Sequence, residues 1–184
     1  MEYSDYQIAR DLAWDTLVRN KVSALPVKIS QICKQMGVQV RYYEPEDEND
    51  GYSTILDGEA VIFVKRDCYR PRQRFTVAHE LGHILLGHVG KCELVNREPS
   101  PQDNSIEQSA NIFAARVLAP ACVLWALDAW AAEEIMVLCD ISRQAAEFRA
   151  KRMAELRQRG RFLSHPLERQ VYEQFRGFVE SRGL

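Results

Sequence analysis

Ile8, Leu12, Ala13 and Leu17 recur at four- and five-residue spacing, which predicts a first helix over residues 4–20. In "LPVKISQICKQMG", Pro26 opens and Gly37 closes a second helix, with Ile29, Ile32, Cys33 and Met36 on one face. The period then changes. "VQVRYY" (Val38–Tyr43) alternates as a strand, and "EPEDENDG" is an acidic loop ending in glycine. "YSTILDGEAVIFVKRD" predicts a hairpin turning at Asp57-Gly58, with Val61–Val64 as a buried strand. Pro71 precedes a long apolar helix that should stop near Gly87 or Gly90, and the polar residues 91–103 form a loop. An apolar helix runs from Ser105 to before Pro120. Helices follow over residues 122–138 and from Ser142 to about Arg159, joined by a "CDIS" turn, with an amphipathic stretch over 166–181. This order predicts an α+β protein, mainly helical, with a small three-stranded sheet beside the long apolar helix. The expected division is 1–120, a helix-turn-helix-like region 121–160, and a helical tail 161–184. No internal repeat or low-complexity segment interrupts it.

At 184 residues, 46% of them hydrophobic, the chain is long enough for one core, or one domain with a small appendage. Its apolar runs are broken by charge and fall short of the roughly 20 residues that span a bilayer. The opening "MEYSDYQIARDL" lacks the layout of a secretory signal. Five cysteines (Cys33, Cys68, Cys92, Cys122, Cys139) without a CxxC pair fit a reducing compartment, so the expectation is cytoplasmic and disulfide-free. Net charge is -2, divided between +5 over residues 141–184 (ten Lys/Arg, five Asp/Glu) and -7 over the rest. A basic end can meet nucleic acid or an acidic protein surface, but solvated helix faces account for it. No membrane and no direct nucleic-acid partner is expected.

The chemistry concentrates in "FTVAHELGHILLGH", Phe75 to His88, which holds three of the four histidines. His79, Glu80 and His83 make H-E-x-x-H. On a helix, positions i and i+4 share a face, so two imidazoles there can direct nitrogens to one ion, with Glu80 placed as general base. Phe75, Val77, Ala78, Leu81, Ile84, Leu85 and Leu86 make this helix apolar nearly all round, and buried histidines and a glutamate need something to satisfy them. Zinc, one per chain, would do so. A catalytic zinc also needs a third protein ligand. The metzincin spacing fails by one residue, since Leu86, Gly87 and His88 stand where glycine at 86 and histidine at 89 are required. His88, five positions past His83, turns away from the ligand face and reads as a helix-terminal histidine at the dipole's negative end. Glu93, Glu98 and Asp103 read as solvated loop carboxylates. Glu107 is the better candidate: Ala110, Ala114 and Leu118 follow it on one face, where small residues admit a second helix and a bare carboxylate is costly. The competing account is a first-turn glutamate aiding its helix N-terminus. Asn111, one turn on from Glu107, is a candidate hydrogen-bond partner for a ligand.

Taken together, these segments resemble the ImmA/IrrE family of metallopeptidases. "RQRFTVAHELGHILLGH" is similar to the family's active-site helix and "EQSANIFAARVLAP" to the segment that carries its third ligand. "LPVKISQICKQMGVQVRYYE" and "LCDISRQAAEFRAKRMAEL" resemble its flanking regions more loosely, and residues past about 160 lie outside the likeness. The resemblance implies a zincin-like domain, with His79, His83 and Glu107 as zinc ligands and Glu80 as the catalytic glutamate. It further implies a cytoplasmic endopeptidase whose protein substrate is a partner transcriptional repressor of helix-turn-helix type, cleaved to relieve repression. Tyr52 and Tyr69 are oxyanion-donor candidates by chain proximity only. The strand Ala60–Val64 either offers an edge to an extended substrate or is covered on both sides.

Two other readings use the same residues. A zinc-bearing regulator that binds a partner without cutting it would need the same ligands, although Glu80 would then have no task. A helix-turn-helix DNA-binding protein would use Ser142 as N-cap with Arg143, Arg149, Lys151 and Arg152 on the following helix. Ala145, Ala146, Phe148 and Met153 suggest instead that this helix is packed into the fold. Cys68 and Cys92 flank the active helix as a conceivable redox pair, with incidental thiols the simpler account.

Overall fold

The computed structural model describes residues 3–44, 49–89, 105–160 and 162–182. Eleven elements follow in chain order among the described residues: α1 (Tyr3–Arg19), α2 (Ile29–Gln35), β1 (Gln39–Tyr43), β2 (Gly51–Leu56), β3 (Glu59–Lys65), α3 (Arg70–Leu85), α4 (Ser105–Leu118), α5 (Ala121–Ala126), α6 (Ala132–Cys139), α7 (Arg143–Gln158) and α8 (Pro166–Glu180). The protein is α+β and mainly helical, with one small three-stranded sheet. It forms two compact units, one of residues 1–12 and 29–114, the other of 13–28 and 115–184.

In the first unit the sheet order is β1-β3-β2, with β1 parallel and β2 antiparallel to β3. Asp57 (φ 52°) and Gly58 (φ 82°) both take left-handed conformations, the turn geometry that suits a two-residue hairpin and sets Leu56 opposite Glu59. Because β3 is the central strand, Ala60–Val64 offers no edge, and among the described residues the edge strand nearest α3 is β2. Helix α3 lies against β2 and β3, and α2 packs on α3. Gly51 makes the close approach possible. A Cβ there would collide with the Phe63 carbonyl and sit 2.6 Å from Cγ2 of Thr76 on α3. Gly82 does the same on another side of α3, where a Cβ would lie 3.0 Å from Phe113 Cδ1 and 3.3 Å from Ala110 Cα on α4. The alanines after Glu107 thus admit a neighbouring helix, as their pattern predicts. On α2 the buried face is Ile29, Ile32 and Cys33, while Met36 is exposed.

In the second unit, α8 packs on α5 and α6 on α7. Val171, Phe175 and Val179 are the buried stripe of α8, and Gln174 Nε2 donates to the Leu17 and Val22 carbonyls at 3.1 and 3.4 Å, tying α8 to the end of α1. Residues 166–180, the amphipathic stretch, therefore contribute core. The predicted helix over 122–138 is two helices. Asp128 (φ 51°) breaks it: its carboxylate accepts from Trp130 Nε1, and Glu134 accepts from the backbone N–H groups of Trp130 and Ala131 at 3.3 and 3.2 Å, starting α6 afresh. No proline or glycine announces the break. The "CDIS" turn is as expected, with Asp140 left-handed (φ 51°) and Ser142 Oγ accepting from Ala145 N at 3.2 Å.

Two further positions and one stretch differ from the pattern-based reading. Ile8 is 58% exposed, and the buried line of α1 is Ala9, Ala13 and Leu17. Phe148 is 70% exposed, so on α7 only Ala146, Arg149 and Met153 are buried. The stretch Ser105–Ala126 is long and apolar enough to cross a membrane by composition, and 72% of its apolar window is buried, as in a core helix.

Candidate metal centre

His79, Glu80 and His83 of α3 and Glu107 in the first turn of α4 supply the centre, all within the first unit. Helical spacing sets His79 and His83 one turn apart on one face, with ring centroids 4.6 Å apart and Nε2 atoms 3.0 Å apart. Glu107, in the first turn of α4, spans the pair: Oε2 lies 3.2 Å from His79 Nε2 and Oε1 3.3 Å from His83 Nε2. Glu107 does stand in the first turn of α4, where its charge suits the helix N-terminus, and the two imidazoles are partners that this role alone does not require. His79 and His83 hold it well below the usual carboxylate range by hydrogen bonding, against the opposing effect of burial, so it is ionised at neutral pH.

The donor set fits a zinc ion. Two imidazole nitrogens and a carboxylate oxygen, all within 4.8 Å of one another, are the ligand types zinc takes in catalytic sites. Ligands at about 2.0–2.1 Å in a tetrahedron stand roughly 3.3 Å apart, and the separations here are 3.0, 3.2 and 3.3 Å. Without an ion, two Nε2 atoms facing each other beside a carboxylate can share at most a proton or two. Outer contacts reinforce the arrangement. Asn111 Oδ1 sits 3.0 Å from His79 Nδ1, and since an amide oxygen only accepts, His79 is the donor at that contact, leaving Nε2 as the nitrogen that faces Glu107. Asn111 thus meets the outer nitrogen of His79, the contact that its spacing allows.

His88 is not turned away. Its Nδ1 lies 3.1 Å from His83 Nδ1, and the two rings meet at 65° with centroids 5.2 Å apart. The expectation from helical spacing fails because α3 has already ended at Leu86, and Gly87 (φ 71°) folds the chain back.

Glu80 is 2% exposed, and Ser53 Oγ on β2 donates to its Oε2 at 2.8 Å. Ser53 is the site residue that the sequence reading missed. The alternation of β2 puts 51, 53 and 55 on one face, but only the register against β3 and the packing on α3 aim that face at Glu80. Tyr52 leaves β2 on the opposite face and stacks on Phe63 at 4.9 Å. Tyr69 caps the start of α3 and is exposed, about 15 Å along the helix from His79. Neither joins the site. Glu93, Glu98, Asp103, Cys92 and Gly90 lie outside the described residues. Cys33, Cys68, Cys122 and Cys139 are free thiols. Burial pushes Cys33 and Cys122 up to about 12, and desolvation and then Asp50 raise Cys68, so none of these three is primed as a thiolate.

Residues 33–151, which contain every group of this centre, match the protein family described as the IrrE N-terminal-like domain, peptidase family M78. The chain belongs to that family. A search of curated proteins found no match. IrrE N-terminal-like proteins form a zinc metallopeptidase family, so a metallopeptidase-like function goes with the fold, and the His79, His83 and Glu107 cluster is where the ion of such a protein can sit.

Proposed function

We propose that this IrrE N-terminal-like chain is a zinc-dependent endopeptidase that hydrolyses a peptide bond in a partner transcriptional repressor of helix-turn-helix type and so relieves repression in the cytoplasm. His79, His83 and Glu107 hold the ion, and Glu80 is the general base. The observation that carries this is the donor triangle, closed to 3.0–3.3 Å, with a buried carboxylate one residue from its first corner.

Zinc bound there supplies Lewis acidity, making water more acidic and a carbonyl more electrophilic. The rest is the work of the chain. Glu80 takes the proton of the attacking water and returns it to the nitrogen of the departing amine, so the carboxylate is regenerated as the C–N bond breaks. Ser53 fixes the rotamer from which it does so. An extended substrate segment would pair with β2, the edge strand that carries Ser53, rather than with the central β3.

Zinc per chain, measured by elemental mass spectrometry on the purified protein and on folded Glu107→Ala, tests the centre. One equivalent on the wild type and a weakened site in the variant are expected. No retained zinc at neutral pH, even after supply, would remove the peptidase reading and leave a partner-binding protein.

A further inference from the structure

We propose that His88 is a positioning residue of the metal centre: its Nδ1 accepts the Nδ1–H of His83 and holds that imidazole with Nε2 toward Glu107 and the ion. This rests on the metal reading above and adds a residue to it.

The geometry begins with the backbone. Helix α3 closes with two reversed hydrogen bonds, Gly87 N–H to the Ile84 carbonyl at 3.1 Å and His88 N–H to the His83 carbonyl at 2.9 Å. That pair is a Schellman closure, with His83 third from the helix end and His88 the second residue beyond the cap. It requires a left-handed residue between them, which Gly87 supplies at φ 71°. Such a closure folds the second residue past the cap over the third residue inside, a contact usually made by two apolar side chains. Here both are histidines. The result is a double tie, backbone to backbone and ring to ring, between His88 and one ligand.

The chemistry then fixes the direction of the bond. A ring that gives Nε2 to an ion keeps its proton on Nδ1. His83 is therefore the donor at the 3.1 Å contact, and His88 Nδ1 the acceptor. Asn111 performs the same service for His79 at 3.0 Å. Each ligand histidine thus has its outer nitrogen held by a different element: α4 holds one, and the end of α3 folds back to hold the other. Partners of this kind orient ligand rings, and losing one weakens metal binding by about 10- to 100-fold.

The test is zinc affinity by competition with a chromophoric chelator, on the wild type, His88→Ala, His88→Gln, His88→Phe and Glu107→Ala. Positioning predicts a 10- to 100-fold weaker site in His88→Ala. His88→Gln should recover most of that affinity, because its amide oxygen can accept from His83. His88→Phe, which fills the space without an acceptor, should not. Should His88→Ala fail to fold, the Gln and Phe variants decide alone. Wild-type affinity in His88→Phe, or equal weakening in Gln and Phe, overturns the inference while Glu107→Ala still reports an intact metal reading. A wild type that takes no zinc overturns that reading and this inference with it.

Discussion

The two compact units each bury charged or titratable groups, and to different ends. The second unit buries Arg149 and Glu168. Arg149 donates from Nε and Nη2 to the Ala119 carbonyl just past the end of α4, and Glu168 accepts from Ser164 N at 3.1 Å at the start of α8, its carboxyl raised chiefly by burial. Both satisfy backbone groups that every helix end leaves over. The first unit buries Glu80 and His83, and there side chains converge on side chains: two imidazole nitrogens and a carboxylate face a common point, each ring held from behind. Any capping group can replace the first kind of arrangement. Only a cation answers the second. Burial of a charge therefore says little about function until one asks what the charge is aimed at.

Removing one group of each kind separates the two cases. Glu80→Gln keeps shape and an oxygen for Ser53 to reach, and it relieves a buried charge. Repressor cleavage by the purified pair should fall about 10²–10⁴-fold, with zinc content and urea stability held or improved. Cleavage at the wild-type rate would sink the proposed mechanism. Arg149→Met fills the space of the arginine stem and abandons the Ala119 carbonyl. Leaving a buried acceptor unpaired costs about 1–3 kcal/mol, read as a lower urea midpoint, with zinc affinity unchanged. If Arg149→Met instead spared stability and impaired only binding to DNA or to the repressor, the helix-turn-helix reading of α6 and α7 would return. On present geometry Arg149 points inward, Arg143 sits 3.3 Å from Glu133, and Arg152 lies 2.6 Å from Glu155.

How far this was legible in the sequence follows from range. His79 and His83 lie one helical turn apart, so spacing alone sets their common face, and the alanines that follow Glu107 predict the close helix that brings it, met in the structure where Gly82 approaches Ala110. The hairpin at Asp57-Gly58 and the cap at Ser142 are likewise local. Reading stopped where periodicity stopped applying. His88 was misplaced because helical spacing was extended one residue past the point at which Gly87 ends the helix. The break at Asp128 went unseen because it is made by carboxylates rather than by proline or glycine. Ser53 depends on strand register and on contact 27 residues away in sequence, which no local pattern carries.

Ser53 gives the smallest expected effect and the most specific one. Its hydroxyl meets one oxygen of Glu80 at 2.8 Å, and Gly51, two residues earlier on the same strand, lets β2 lie close enough to α3 for that contact. Ser53→Ala removes one hydrogen bond to a charged group, worth about 1.5 kcal/mol, or roughly tenfold in rate. The loss should fall on kcat, with zinc affinity unchanged, because the hydroxyl touches the base and not the ligands. Ser53→Thr, which keeps the hydroxyl, should restore most of it. The decisive form is a double-mutant cycle with Glu80→Gln. If Ser53 acts through the carboxylate, its removal should cost little once that carboxylate is gone. An undiminished tenfold loss in the Glu80→Gln background would instead assign Ser53 to holding β2, and the edge it offers to substrate, against α3.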